Sequence, residues 1–253
     1  MKIVVIGGTG LIGSKVVAKL ADHGHEAIAA SPASGVDTLT GEGLDAVLFG
    51  AHVVVDVSNS PSFEDGPALD FFTTGTRNLL SAAQEARVSH YVALSVVGTD
   101  RMLASGYFRA KAAQEELVAK STVPFSIVRA TQFFEFVGRI ADSATDGDTV
   151  RISSSPVQPM AAEDVATAVV RAAVAEAQGG ILEVAGPDRY PLDGIVRARL
   201  RASNDTRRVL ADPRARYFGV VLDDHTLLPA TSATVFPTRF AEWLVDNAPT
   251  SVR

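Results

Sequence analysis

Tyr107 and Lys111 stand four residues apart in a stretch with helical spacing, so their side chains share one helix face. A phenol with its ordinary pKa of about 10 is a poor acid–base catalyst at neutral pH. An ammonium beside it favours the phenolate and lowers that pKa. Ser95 follows the apolar run Tyr91–Leu94, twelve residues before Tyr107, and its hydroxyl can hold a reacting oxygen in place. These three groups suffice for carbonyl reduction when a dinucleotide supplies hydride and the tyrosine supplies the proton. A Tyr-x-x-x-Lys spacing also arises by chance, and a tyrosine at a helix start is often a packing residue. The position behind a strand and a serine singles this pair out.

A dinucleotide needs a phosphate-binding turn, and Gly7-Gly8-Thr9-Gly10-Leu11-Ile12-Gly13 has the spacing for one. Glycine at seven suits a sharp strand-to-helix turn. Glycine at ten lets a pyrophosphate approach the backbone, and glycine at thirteen lets the helix lie close on the sheet. Free N–H groups and the positive end of the helix dipole then face the phosphates. Gly7, Thr9, Gly10, Leu11 and Ile12 are the expected pyrophosphate contacts. A triphosphate loop would need Lys directly after the last glycine, then Ser or Thr, whereas Ser14 precedes Lys15 here. At the end of the second strand the chain reads Ala29-Ala30-Ser31-Pro32, with no carboxylate to bind a ribose 2′-hydroxyl and repel a 2′-phosphate. Ser31 and Ser34 can donate to a phosphate, so NADP(H) is expected over NAD(H), although no Arg or Lys follows. Val57 and Ser58, closing the Val53–Val57 strand run, are further expected cofactor contacts, and Lys111 is expected to hold the nicotinamide ribose.

The elements that must position these groups alternate. Apolar runs at Ile3–Ile6, Ala27–Ala30, Val53–Val57, Tyr91–Leu94 and Phe125–Val128 predict buried strands. Helical spacing fills Leu11–His23, Pro67–Arg87 and Tyr107–Lys120 between them. Strand–helix–strand repetition implies an α/β fold, a Rossmann-type doubly wound parallel sheet. After Arg129 the pattern loosens into a helix at Glu163–Gln178, a strand at Ile181–Val184, an irregular Pro187–Ala230, and a last helix through Phe240, Trp243 and Leu244. Residues 1–130 are therefore expected to form the NAD(P)-binding core. Residues 131–253 should form a small carboxyl-terminal substrate lobe on the same sheet, with Phe133 and Phe134 as candidate substrate contacts.

Composition narrows the partners. The 253 residues carry a net charge of −6, with no global attraction to nucleic acid or anionic lipid. The absence of cysteine removes disulfides, thiolate nucleophiles and Cys-based zinc sites. His23, His25, His52, His90 and His225 show no metal-ligand spacing and are expected in surface or loop roles. The arginines at 197, 199, 201, 207, 208, 214 and 216 lack interleaved aromatics and read as a solvated surface. No run approaches the roughly 20 apolar residues of a membrane span, and a cytoplasmic protein with a small-molecule substrate is expected.

The chain resembles the short-chain dehydrogenase/reductase superfamily, in its atypical branch and the NmrA-like group. The resemblance runs through Gly7–Gly13, Gly75-Thr76-Arg77-Asn78-Leu79-Leu80, Tyr91–Gly98, Tyr107–Lys111 and Ile127-Val128-Arg129-Ala130-Thr131-Gln132-Phe133. It extends more weakly through Pro159–Val165 and Glu183–Pro187. It implies Ser–Tyr–Lys roles for Ser95, Tyr107 and Lys111. Phe72 stands where many relatives carry an asparagine, a departure from the family's pattern at a fourth catalytic position. The group is divided in activity, so three outcomes are implied: an NADP(H)-dependent carbonyl reductase, a quinone reductase that does not need Tyr107, or a non-catalytic redox sensor acting on a protein partner.

Overall fold

The computed structural model describes residues 1–247. The first part alternates as expected: β1 (Lys2–Ile6), α1 (Leu11–Asp22), β2 (Glu26–Ala30), α2 (Leu44–Leu48), β3 (Val53–Asp56), α3 (Asp65–Glu85), β4 (His90–Val96), α4 (Gly106–Lys120) and β5 (Phe125–Ala130). Next come α5 (Val137–Ser143), β6 (Thr145–Asp146), β7 (Thr149–Ile152), β8 (Pro156–Val157), α6 (Ala162–Val174) and β9 (Gly180–Ala185). The last elements are β10 (Tyr190–Pro191), α7 (Leu192–Ala202), β11 (Arg208–Ala211), β12 (Arg216–Tyr217), β13 (Val220–Val221), β14 (Thr234–Val235) and α8 (Phe240–Asp246).

Seven strands form one sheet in the order β14-β9-β5-β4-β3-β1-β2. From β1 the chain goes outward to β2, returns, and enters β3 on the other side of β1, all in parallel. That reversal is the switch point of a doubly wound sheet, where a crevice opens beyond the carboxyl ends of β1 and β3. The two strands are buried on both faces, which is why their sequences are continuous β-branched runs rather than alternating ones. Val4, Ile6, Val54, Leu79, Tyr91 and Ile127 belong to one core cluster around these strands.

Two compact units divide the chain: 1–129 with 165–182, and 130–164 with the remainder from 183. The stretch 165–182, in α6 and the start of β9, belongs to the first unit although it lies beyond position 130. Within the second unit, β11, β7 and β6 make a small sheet, and Phe134 packs against Phe240 and Trp243 at centroid distances of 5.0 and 5.7 Å.

The irregular reading of 187–230 is corrected by α7. Leu192, Ile195, Val196 and Leu200 recur at helical spacing and are buried, but Gly194 in the first turn and the run of arginines masked the period. Helix α6 stops at Val174, earlier than Gln178. Strand β4 runs on to Val96, so Ser95 lies inside a strand instead of behind one. His90 is corrected too: it is buried in β4, its ring 2.9 Å from the Ser126 hydroxyl, and burial pulls its pKa below the ordinary value. No described helix is long and apolar enough to cross a membrane.

Phe134 is fully buried, at 0% exposure. Phe134→Ala should therefore cost about 3–5 kcal/mol by leaving a cavity, read as a lower denaturant midpoint in chemical unfolding.

Candidate functional site

The turn between β1 and α1 is shaped by backbone crowding. Gly7 has φ +76°, and a Cβ there would lie 2.9 Å from the Ser58 Cα. Its N–H donates to the Ala30 carbonyl at 2.9 Å, which ties the turn to the end of β2. A Cβ on Gly13 would stand 2.1 Å from the Gly7 carbonyl oxygen, and one on Gly8 would stand 2.6 Å from the Ala29 Cα. The protein's own packing thus demands glycine at seven, eight and thirteen; the sequence reading gave no reason for Gly8.

Gly10 is different. Its backbone is extended, with φ −79° and ψ −179°, a conformation open to any residue. A Cβ there would meet only the Gly7 carbonyl oxygen, at 3.3 Å. Thr9, Gly10 and Leu11 are exposed while Ile12 is buried, and no side chain caps α1. The first-turn N–H groups have no intrahelical acceptors and open beside a bare position where a side chain would press only on the Gly7 carbonyl oxygen. That is the cradle a pyrophosphate requires.

At the end of β2, Ser31 is buried and its hydroxyl oxygen has no hydrogen-bond partner. Ser34 donates its hydroxyl proton to the Ser31 carbonyl at 2.9 Å and accepts the Ser31 N–H at 2.9 Å, so it serves the turn. Of the two serines, only Ser31 keeps an unused group for a ribose or phosphate. These features fit a bound dinucleotide.

The segment after β3 joins this crevice to the predicted catalytic helix. Val57 and Ser58 are half-buried, and the Asn59 side-chain carbonyl accepts the Tyr107 hydroxyl at 3.1 Å. Tyr107 sits among the rings of Phe63, Phe72 and Phe108, at centroid distances of 5.1, 5.9 and 5.4 Å. Burial pushes its phenol above the ordinary value, the reverse of the lowering expected from Lys111.

Lys111 is buried at 3% exposure, its ammonium 4.5 Å over the Phe72 ring. It donates to the Leu94 carbonyl at 2.9 Å and to the Gln114 side-chain carbonyl. Desolvation pulls its pKa down to about 8, against the opposing pull of Asp56 and Glu115. Tyr107 and Lys111 thus meet at Phe72.

Ser95 is held elsewhere. Its hydroxyl donates to Glu115 at 2.5 Å, and Glu115 in turn takes two bonds from Arg129, at 2.9 and 2.6 Å. Arg129 also reaches Asp100 at 2.9 Å. Of the two candidate substrate contacts, Phe133 is half-buried against Phe136, and Phe134 is in the core of the second unit.

Sequence reasoning missed Asp56. Buried at 3% exposure, it accepts the Ser58 N–H at 3.0 Å, the Ser58 hydroxyl at 2.6 Å, the Tyr91 hydroxyl at 3.0 Å and the Gln114 amide at 3.0 Å. The available signal was a carboxylate closing an apolar run, Val53-Val54-Val55-Asp56, since a buried charge must be fully bonded. Asn78 was quoted only as part of a motif. Its amide donates to the Thr38 and Leu39 carbonyls at 2.8 and 3.0 Å, pinning the loop after β2 to α3.

Fold and turn together define a dinucleotide-binding α/β protein with an oxidoreductase-type fold. The chain belongs to the family described as NAD(P)H-binding, whose model matches residues 7–176. It is 24% identical over 233 residues to the photosystem II assembly factor Ycf39 of Cyanophora paradoxa, covering 85% of this chain and 73% of that protein. It is 28% identical over 202 residues to a (4-alkanoyl-5-oxo-2,5-dihydrofuran-3-yl)methyl phosphate reductase of Streptomyces griseus, covering 74% and 68%. A dTDP-4-dehydrorhamnose reductase structure from Clostridium acetobutylicum shares the fold, with a TM-score of 0.74 at 16% identity over 97% of this chain and 99% of the other.

The two kinds of glycine separate by experiment. Gly10→Val should fold with near-parental stability and lose dinucleotide binding in calorimetry. Gly13→Ala should lose about 3 kcal/mol or more of stability, because backbone must shift to admit the methyl. Tight binding by Gly10→Val would overturn the pyrophosphate assignment.

Proposed function

We propose that the protein is an NADP(H)-dependent oxidoreductase that reduces a carbonyl-type group on a small or medium-sized substrate, with Tyr107 as general acid. The observation that carries this is the meeting of Tyr107 and Lys111 at Phe72, beside the Ser58–Asn59 segment that borders the crevice. A bound dinucleotide supplies the hydride.

In this reading Gly7, Thr9, Gly10, Leu11 and Ile12 hold the pyrophosphate, and the Ser31 hydroxyl serves the ribose end. Val57 and Ser58 wall the crevice. Lys111 keeps a positive charge by the nicotinamide ribose. A phenol raised by burial stays protonated at neutral pH, the state a donor needs. An alkoxide developing on a reduced carbonyl is more basic than a phenolate, so the proton still moves downhill. Ser95 takes the substrate oxygen by turning its proton away from Glu115. Substrate choice is assigned to residues 131–253, where half-buried Phe133 has ring surface to offer. The similarity to a curated reductase supports the class of reaction.

The Ser95–Glu115 bond at 2.5 Å favours a second reading, an NADPH-quinone reductase that uses neither Ser95 nor Tyr107. A quinone draws its protons from water.

Following NADPH oxidation over a panel of ketones, aldehydes and quinones separates these readings. Tyr107→Phe should lower carbonyl turnover by roughly 10²-fold or more while cofactor binding survives. Quinone turnover unaffected by Tyr107→Phe supports the second reading. Parental carbonyl turnover should fall as pH rises past about 8, where Lys111 loses its proton. Lys111→Ala with full carbonyl activity would sink the assignment. No turnover by either protein, with partner affinity tracking cofactor redox state, would mark a sensor.

Cofactor choice has its own test. Ser31→Asp should shift the affinity ratio from NADPH towards NADH, by repelling a 2′-phosphate and accepting from a 2′-hydroxyl. An unchanged ratio in calorimetry removes Ser31 from the ribose site.

A further inference from the structure

We infer that Asp56, acting through the side-chain amide of Gln114, positions Lys111 and links it to the dinucleotide crevice. The inference deepens the proposed oxidoreductase reading, but the arrangement stands on its own geometry.

Gln114 lies one helical step from Lys111 on α4, and its amide is used at both ends. Its carbonyl accepts the Lys111 ammonium and its NH₂ donates to Asp56 at 3.0 Å. That fixes the amide's orientation, since a reversed amide would turn NH₂ towards an ammonium and carbonyl towards a carboxylate. The Asp56 carboxylate is in turn fixed from two other sides. Tyr91 on β4 donates to the same oxygen as Gln114, and Ser58 donates twice to the other. Ser58 is the residue whose backbone crowds Gly7. A continuous line of contacts therefore runs from the phosphate turn through Ser58, Asp56 and Gln114 to Lys111.

The groups facing Lys111 are few. From β4 comes the Leu94 carbonyl, from α3 the Phe72 ring, and from β3 the Asp56 charge through Gln114. On α4 itself, Glu115 contributes negative charge and is paired with Arg129 of β5, which also holds Asp100. Tyr107 shares the Phe72 ring. A four-carbon stem in an apolar setting would otherwise bring its ammonium to water. The Leu94 carbonyl and the Gln114 amide hold it inside, and Asp56 orients that amide.

The test uses the full chain with ¹³C-labelled lysine, titrated by NMR through the Cε resonances, with Lys111→Ala identifying the signal. The chain has only five lysines, so the spectrum is simple. In the parent Lys111 should titrate at about 8. Asp56→Asn removes a negative charge and Gln114→Leu removes an acceptor, so each should move the midpoint down, by about one pH unit. Gln114→Glu combined with Asp56→Asn moves the carboxylate next to the ammonium and leaves an amide at 56 to donate to it, so the midpoint should move up. A purely structural network would lower the melting temperature and leave the midpoint in place. Should Asp56→Asn alone fail to fold, the opposite signs expected of Gln114→Leu and of the charge-swapped Asp56→Asn with Gln114→Glu decide the matter. A midpoint unmoved in both Gln114 variants overturns the inference. A midpoint that moves while Lys111→Ala keeps full activity overturns only the catalytic reading of Lys111.

Discussion

The close approach of α1 to the turn after β1 governs the amino-terminal half. With 2.1 Å between the Gly7 carbonyl oxygen and the place a Cβ would take on Gly13, the helix starts at the one height that leaves its first N–H groups over the crevice. The same turn is bonded to the end of β2 through Ala30 and pressed against Ser58 after β3. Three strand ends thus meet at one turn. Asp56 and Ser58 stand at the end of β3 beside this contact, while Tyr107 and Lys111 come from α4 and Ser95 from β4.

The polar groups next to the predicted catalytic residues form two hydrogen-bonded sets. One runs from Ser58 to Lys111 through Asp56 and Gln114. The other joins Ser95, Glu115, Arg129 and Asp100. Each buried charge is met by several donors or acceptors, as the low dielectric of an interior requires. The two sets divide the three predicted catalytic residues, with Lys111 in the first, Ser95 in the second, and Tyr107 bonded to Asn59. Helix spacing brings Tyr107 and Lys111 to one ring, and hydrogen bonding gives the polar ends of Tyr107, Lys111 and Ser95 different partners.

Sequence pattern was a good guide wherever one period dominated. Buried strands such as Val53–Asp56 announce themselves because both faces are apolar, and Gly7 and Gly13 because their spacing has a steric cause. Asp56 stayed hidden because its role depends on Tyr91 and Gln114, which are distant in the chain. The α7 helix was missed because its arginines outweigh four buried apolar residues in any local reading. Ser95 illustrates the same limit: a strand two residues longer than expected, and a glutamate twenty residues on, decide where its proton goes. Local sequence reports backbone geometry well and reports pairings across the sheet poorly.

The first unit is built from two separate stretches of chain, 1–129 and 165–182. The later stretch is bonded in by the Gly179 N–H on the Phe125 carbonyl at 2.8 Å and the Gln178 N–H on the Ser126 hydroxyl at 3.1 Å. During synthesis, β5 therefore waits for more than fifty further residues before it gains these bonds. Until then its edge presents unpaired backbone groups, the kind of surface that invites wrong strand partners. Contacts so distant in sequence close slowly, because the loop entropy is lost before the contact energy is gained. The nascent chain is thus most exposed to misassembly while the ribosome is making the stretch between the two pieces.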